Sequence, residues 1–227
     1  MEVLHGGYTL KIYDGCFPLS TDSMVLAHFT RLPKSARVLD LGSGCGTLGL
    51  LLCARHADCH VTGLELDPVA HEGALENIRR NGLEARMESI PGDLRNTPSL
   101  PAGAFHVCVS NPPYFTGGPE AKLKNARRTD CCSMEELFAA ASRGLKYGGD
   151  FFLVHRPEAL AQLFSCACRH ALEPKELCLL RHKPEDPVSL VLVQCRKGGK
   201  QGLKWRELSL YSSDGSPTHT YEAIYHQ

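Results

Sequence analysis

Apolar positions in the chain form short runs that are separated by longer segments with a helical period. The runs have the length of strands and occur at residues 37–41, 60–66, 87–90, 105–109, 151–155, 176–181 and 188–195. Short apolar runs bounded by turn residues are typical of buried strands. Most of the intervening segments carry apolar residues three or four positions apart, a spacing that predicts helices packed against a sheet.

This alternation predicts an α/β fold with a Rossmann-like, doubly wound and mainly parallel sheet of seven strands. A short proline-containing turn, with no room for a helix, joins the runs at 176–181 and 188–195. One strand near the C-terminus is therefore expected to be antiparallel. No internal repeat or composition change divides the 227 residues, so a single domain over 1–227 is expected.

Residues 1–35 are expected to form a hairpin followed by a helix. Asp14-Gly15 is a typical hairpin turn, and residues 20–22 supply helix-capping side chains. Thr21 and Asp22 have two interpretations. They are simple caps worth about 1 kcal/mol, or they begin a helix that covers the charged end of a bound cofactor.

The run at 105–109 ends in the sequence Asn111-Pro112-Pro113-Tyr114. Two prolines force the chain out of the sheet as a rigid, extended turn at the carboxyl end of a strand, where α/β folds bind ligands. The Asn111 oxygen and the Pro112 carbonyl can accept both N–H bonds of a flat amino group, while Tyr114 stacks on its ring. This arrangement favours methyl transfer to an amino nitrogen, although a plain strand exit is the simpler alternative.

A glycine-rich turn with Gly42, Gly44 and Gly46 follows the first predicted strand, and Asp40 lies two residues before its first glycine. Glycines let the backbone approach a ligand closely and adopt positive φ. Glu65 ends the next strand, nineteen residues after the last glycine of the turn, which suits hydrogen bonds to a ribose. Leu66 follows it at the same edge and is grouped with the cofactor contacts.

The segment 44–49 also fits the G-x-G-x-x-G dinucleotide pattern, and a single match of that kind is weak evidence. A pyrophosphate binder would avoid the negative charge of Asp40, whereas a cofactor with an ammonium group would favour it. The turn at 111–114 has no use in hydride transfer. Both features point away from a dehydrogenase.

Two further groups of residues are candidate contacts. Asp93 follows the third strand and can accept from an adenine amino group while Leu94 packs on the ring, or it is a solvated turn residue. Basic side chains lie beside the predicted site and in a glycine-rich loop, and they are either solvated or in contact with nucleic-acid phosphates. These side chains are Lys122, Lys124, Arg127, Arg128, Lys197 and Lys200.

Composition narrows these possibilities only slightly. The formal net charge is zero, so any contact with nucleic acid has to come from local patches. Eleven cysteines occur without a Cys-x-x-Cys pair, which favours reduced structural thiols, and no residue is assigned to a metal. No apolar run of membrane-spanning length and no signal peptide is apparent, so a cytoplasmic protein that does not associate with membranes is expected. No obligate protein partner is evident from the sequence.

Taken together, residues 40–46, Glu65 and 111–114 resemble the class I S-adenosylmethionine-dependent methyltransferases that modify amino groups. Residues 19–26, 126–129 and the Tyr-Glu-Ala tail are similar to the bacterial tRNA adenine-N6 methyltransferases that act beside the anticodon of a valine tRNA. The resemblance covers nearly the whole chain. It implies S-adenosyl-L-methionine as cofactor, a tRNA as substrate, and N6-methylation of an adenine near the anticodon.

The resemblance also implies roles for single residues. Asp40, Gly42 and Gly44 would line the methionine and sugar region, Glu65 the ribose hydroxyls, and Asp93 the adenine ring. Thr21 and Asp22 would close over the methionine end of the cofactor. Asn111, Pro112 and Tyr114 would hold the target base.

Several other functions share parts of this pattern. Protein glutamine N5 methyltransferases use the same turn but carry a helical substrate domain before the glycines, where this sequence has only 39 residues before Asp40. A DNA adenine methyltransferase would need a further recognition region, and an RNA guanine-N2 methyltransferase stays possible. Outside the enzymes, the alternative is a catalytically silent scaffold that binds RNA, which intact Asn111, Pro112, Tyr114 and Glu65 disfavour.

Overall fold

The computed structural model of the protein describes residues 1–13, 16–96, 100–113 and 132–225. The strands are β1 (Glu2–Val3), β2 (Thr9–Leu10), β3 (Arg37–Leu41), β4 (His60–Glu65), β5 (Met87–Pro91), β6 (Phe105–Ser110), β7 (Leu145–His155), β8 (Leu172–Arg181), β9 (Leu190–Lys197) and β10 (Lys204–Ser209). The helices are α1 (Thr21–Phe29), α2 (Thr47–Arg55), α3 (Pro68–Arg80), α4 (Met134–Gly144), α5 (Leu160–Arg169) and α6 (His219–Tyr225).

The main sheet has the strand order β10-β8-β9-β7-β6-β3-β4-β5. Every neighbouring pair is parallel except the two pairs that β9 makes with β7 and β8. The predicted doubly wound, mainly parallel fold with one antiparallel strand is therefore confirmed. Within the described residues the sheet has eight strands and not seven, because β10 pairs with β8 at the outer edge.

Helices cover both faces of this sheet. One apolar cluster contains residues of α1 and α2, and a second contains residues of α4 and α5. Two consecutive residues of β7 show the division, because neighbouring side chains of a strand point to opposite faces. Phe152 meets Phe29 of α1 with ring centroids 5.7 Å apart, and Phe151 meets Phe138 of α4 at 5.3 Å, both edge to face.

The N-terminal pairing differs from the predicted hairpin. β2 pairs with β1 in antiparallel fashion, and residues 16–19 form no strand. Asp14-Gly15 lies outside the described residues. The local alternation after residue 8 was a weak signal, and β2 finds its partner on the N-terminal side because residues 4–8 form a tight turn there.

Other element boundaries follow from local chemistry. Ser133 and Glu136 form a capping box at the start of α4, and Asp67 accepts from the first amides of α3. β7 starts at Leu145, six residues before the predicted run. Gly148, at φ 78°, lets the strand continue through a register irregularity that looks like a break in the sequence.

The described part of the chain shows no membrane-spanning helix, no cluster of metal ligands and no disulfide. None of its helices is long and apolar enough to span a membrane, and no cluster of three potential metal ligands occurs in it. Its ten cysteines are all free thiols, seven of them buried.

Candidate active site

The carboxyl ends of three adjacent strands bring the predicted site residues together. β6, β3 and β4 lie side by side and run parallel, so the residues that follow them meet at one edge of the sheet. The glycine turn follows β3, Glu65 ends β4, and Asn111 follows β6. The structure therefore places the two motifs of the sequence next to each other.

The glycine turn is held by β4 and is open on its outer side. The amides of Gly42 and Ser43 both donate to the Leu64 carbonyl, at 3.0 and 3.1 Å. Gly42 and Gly44 have positive φ, 73° and 56°. Apart from the adjoining residues of the chain, no atom of the described residues lies within 4 Å of where a Cβ would stand on either glycine, which leaves open backbone for a ligand.

Asp40 carries a buried carboxyl group at the base of this turn. It is 1% exposed, and neither of its oxygens accepts a hydrogen bond from any residue in the described ranges. Burial, and then the negative charge of Glu65, raise the pKa of Asp40 to about 8, while the nearby Gly49 amide partly offsets the rise. A buried carboxyl group without a partner is costly, and a cationic ligand would satisfy it.

Glu65 is oriented by backbone amides on both sides. One carboxylate oxygen accepts from the Gly44 amide at 2.7 Å, and the other accepts from the Asp67 amide at 2.8 Å. These bonds fix the carboxylate across the mouth of the glycine turn. The next residue, Leu66, is 46% exposed, which is unusual for a leucine at the end of a buried strand.

Asp93 and Leu94 lie at the same edge, after β5. Both Asp93 oxygens accept from the guanidinium group of Arg95, whose hydrogen bonds lower the pKa of Asp93. Leu94 is half-buried and packs against the apolar cluster on the α4 side of the sheet. An adenine amino group would have to share the Asp93 carboxylate with Arg95, so the expected adenine contact stays a prediction.

The Asn111 turn is tied to two other elements. Ser110 donates its hydroxyl to the Leu41 carbonyl at 2.8 Å, which joins the ends of β6 and β3. Asn111 donates its side-chain N–H to the Ser23 hydroxyl of α1 at 3.1 Å. Because the amide nitrogen is used by Ser23, the amide oxygen of Asn111 is left to accept from a ligand. The next residue, Pro112, is buried.

The start of α1 completes this side of the site. Ser20 caps the helix, and the hydroxyl of Thr21 accepts from the Tyr225 hydroxyl of α6 at 3.1 Å. Burial raises the pKa of Asp22, and the charge of Arg156 opposes the rise. Ser23 links the start of this helix directly to Asn111. Thr21 and Asp22 immediately precede Ser23 in the helix, so they belong to the same part of the site.

Several predicted substrate contacts lie outside the described residues. They are Tyr114, Lys122, Lys124, Arg127 and Arg128. Their roles stay predictions.

The structure places Lys197 and Lys200 away from the turn that contains Asn111, and their contact with RNA stays a prediction. β9 is antiparallel, so the loop after it lies at the edge of the sheet where the parallel strands begin, opposite Asn111. The Lys197 ammonium group donates to the Ser142 and Leu145 carbonyls at the end of α4. Lys197 therefore closes a helix terminus, and Lys200 is an exposed residue of the opposite edge.

Sequence reasoning missed three residues that shape the site. Ser23 orients Asn111, Arg95 engages Asp93, and Tyr225 holds the start of α1. Ser23 follows the cap of α1 by three residues. Its hydroxyl group is the one feature of the local sequence that could have suggested a polar contact. The other two act across elements, and nothing in the local sequence marks them.

Comparison with known proteins adds independent findings. A family model described as "Methyltransferase small domain" matches residues 20–165. A tRNA1(Val) (adenine(37)-N6)-methyltransferase of Bacteroides fragilis is 33% identical over 189 residues, which cover 80% of this chain and 78% of that protein. A protein of the same name from Photobacterium profundum is 27% identical over 229 residues, covering 96% of this chain and 95% of its own.

Solved structures show the same fold. A predicted O-methyltransferase from Agrobacterium tumefaciens superposes with a TM-score of 0.76 at 23% identity, covering 90% of this chain and 95% of that one. Geranyl diphosphate C-methyltransferase from Streptomyces coelicolor, solved with S-adenosyl-L-homocysteine, gives 0.58 at 14% identity, with 77% and 76% covered.

Proposed function

The chain belongs to the methyltransferase small domain family, and from that premise we propose that it methylates N6 of an adenine in tRNA with S-adenosyl-L-methionine as cofactor. The names of its relatives narrow the proposed substrate to adenine 37 of tRNA1(Val), beside the anticodon. The proposed tRNA substrate favours a cytoplasmic location for this reaction. The observation that carries the proposal is the contact between Asn111 and Ser23 beside the glycine turn.

The described residues fit the proposed cofactor. When bound, S-adenosyl-L-methionine supplies an electrophilic methyl group on a positively charged sulfur, next to an ammonium-bearing methionine end. Asp40 offers a buried carboxyl group without a partner in the described ranges, and Gly42 and Gly44 offer open backbone. Glu65 would hold the ribose hydroxyls, with Leu66, Asp93 and Leu94 beside the adenine ring.

The residues at the start of the chain would close this site. Residues 1–35 are proposed to cover the cofactor, with Thr21 and Asp22 over its methionine end. The contact of Ser23 with Asn111 supports this arrangement, because it holds α1 against the edge of the sheet where the glycine turn opens.

Asn111 and Pro112 would act on the target amino group. The lone pair of an amino nitrogen on an aromatic ring is delocalised, so the nitrogen is a weak nucleophile. Two acceptors that hold both of its N–H bonds favour a pyramidal nitrogen with a localised lone pair. Ser23 supports this role, because its bond to the amide nitrogen leaves the amide oxygen of Asn111 to accept from the target amino group. Tyr114 would stack on the flipped base.

The test of this role is Asn111→Ala, assayed with tRNA and S-adenosyl-L-methionine. We expect kcat to fall about 10²–10³-fold, as for the loss of one positioned hydrogen-bonding group, with cofactor affinity changed by less than about threefold. Ser23→Ala should give a smaller loss, since it frees the amide without removing it. Methylation by Asn111→Ala at the parent rate would show that Asn111 has no such role.

The substrate is tested by mass spectrometry of tRNA nucleosides from a strain that lacks the gene. Loss of N6-methyladenosine supports the proposal. Loss of an N2-methylguanosine with adenines unaffected would identify a guanine-N2 methyltransferase in its place.

A further inference from the structure

Helix α3 presents two asparagines, four residues apart, to the N-terminal segment. Asn81 accepts from the Thr9 amide at 2.7 Å and donates to the Thr9 carbonyl at 2.8 Å. Asn77 makes the same pair of bonds with the amide and carbonyl of Lys11, both at 3.0 Å. The two side-chain amides therefore pair with β2 and its continuation as a neighbouring strand would.

Asn77 makes one additional bond, and that bond reaches the glycine turn. Its side-chain N–H also donates to the Cys45 carbonyl at 3.0 Å, and its side chain is fully buried. The other end of the same peptide is held too, because the Gly46 amide donates to the Ser43 carbonyl at 3.0 Å. The peptide plane between Cys45 and Gly46 is thus fixed at both ends.

Close packing supports this connection. Gly73 lies one turn before Asn77 on the same helix, and a Cβ on it would stand 2.7 Å from the Tyr13 ring and 3.2 Å from the Cys45 sulfur. The absence of a side chain at Gly73 lets α3 touch both the N-terminal segment and the glycine turn. Asn77 then bonds both of them from one buried position.

We infer that Asn77 is a positioning residue for cofactor binding. It holds the Cys45–Gly46 peptide so that the preceding residue, Gly44, keeps its amide on Glu65, and it joins this turn to residues 9–13. The inference rests on the proposed role of the glycine turn as the cofactor site. Because the Asn77 side chain is fully buried beneath the glycine turn, it is expected to set cofactor affinity and leave the chemical step largely unchanged.

The test compares Asn77→Asp with the matched control Asn81→Asp. Each substitution keeps the acceptor and replaces an N–H₂ group, which donates to two carbonyls, by an oxygen that cannot donate when ionised. We expect both variants to lose thermal stability. Only Asn77→Asp should raise the calorimetric Kd for S-adenosyl-L-methionine, by about tenfold, equivalent to roughly one buried hydrogen bond.

Kinetics separate positioning from general damage. With Asn77→Asp, KM for the cofactor should rise about tenfold while kcat at saturating cofactor stays within about threefold of the parent. Equal Kd values for the parent, Asn77→Asp and Asn81→Asp would overturn the inference and leave the proposed function standing. Failure of the parent protein itself to bind S-adenosyl-L-methionine would overturn the proposed function first.

A measurement on the unmodified protein covers the case in which Asn77→Asp does not fold. Binding of S-adenosyl-L-methionine should slow hydrogen exchange of the Lys11 amide several-fold, because that amide is held by the same side chain that holds the turn. Unchanged exchange at Lys11, with exchange slowed at Gly44 and Gly46, would show that the turn and the N-terminal segment are not coupled through Asn77.

Discussion

At the scale of single residues, the most consequential group is the carboxyl of Asp40. Its folded pKa of about 8 lies far above the unfolded value of about 3.9. Between these values the folded protein holds a proton that the unfolded chain has lost. The free energy of unfolding therefore falls as pH rises from about 4 to about 8 and then levels off.

Asp40→Asn removes this titration while keeping the shape of the side chain. We expect the cofactor-free variant to be more stable than the parent at pH 8, with the difference shrinking toward pH 5. Thermal unfolding at several pH values measures it. If the difference in stability between Asp40→Asn and the parent does not change with pH, the raised pKa is contradicted.

The same group predicts the pH dependence of cofactor binding. The ammonium group of S-adenosyl-L-methionine favours ionised Asp40, so binding should release a proton, and affinity should rise with pH up to about 8. Calorimetry in buffers of different ionisation enthalpy detects the released proton. In Asp40→Asn, affinity should be lower and its dependence on pH over this range should disappear.

At the scale of single elements, β9 decides which basic residues can reach the site. Its antiparallel direction carries Lys197 to the edge of the sheet opposite Asn111, where its ammonium group bonds the last carbonyls of α4. A cation at a helix C-terminus satisfies free carbonyls and interacts favourably with the helix dipole.

Lys197→Met should therefore destabilise the protein by about 1–2 kcal/mol without changing tRNA affinity. Lys200→Met is the matched control on the same loop, since an exposed lysine should change stability by less than about 0.5 kcal/mol. Denaturant unfolding and a tRNA binding assay distinguish the two effects. Weaker tRNA binding by both variants, with stability unchanged, would instead support contact between this loop and tRNA phosphates.

The sequence predicts elements better than it predicts contacts between them. Capping residues locate the start of α1, and apolar periods indicate the helices between the strands, because these signals are local. The bond from Ser23 to Asn111 spans 88 residues, and the bond from Asn77 to Cys45 spans 32. Such partners depend on how elements pack, so a serine after a helix cap and an asparagine inside a helix carry no local mark of their function.

At the scale of the whole molecule, balanced charge limits how RNA can be bound. The formal net charge is zero, so no overall field draws tRNA to the protein. Attraction between the protein and tRNA has to come from local basic groups. The predicted groups follow the Asn-Pro-Pro-Tyr sequence, and they are Lys122, Lys124, Arg127 and Arg128.

Salt dependence tests this prediction. Each phosphate contact contributes about −0.7 to −0.9 to the slope of log K against log salt, so four contacts give a slope of about −3. Substituting Lys124 and Arg127 by glutamine should reduce the magnitude of the slope by about 1.5 and weaken binding at low salt. An unchanged slope would place the phosphate contacts elsewhere on the protein.

Gly73 has a consequence for anyone who sets out to thermostabilise this enzyme. Automated redesign favours alanine over glycine inside helices, since the exchange is worth about 1 kcal/mol in isolation. Here the added methyl group would collide with the Tyr13 ring and press on the Cys45 sulfur. Although Gly73→Ala raises the helix propensity, we expect it to weaken the binding of S-adenosyl-L-methionine. Position 73 is therefore best left unchanged in libraries of stabilised variants.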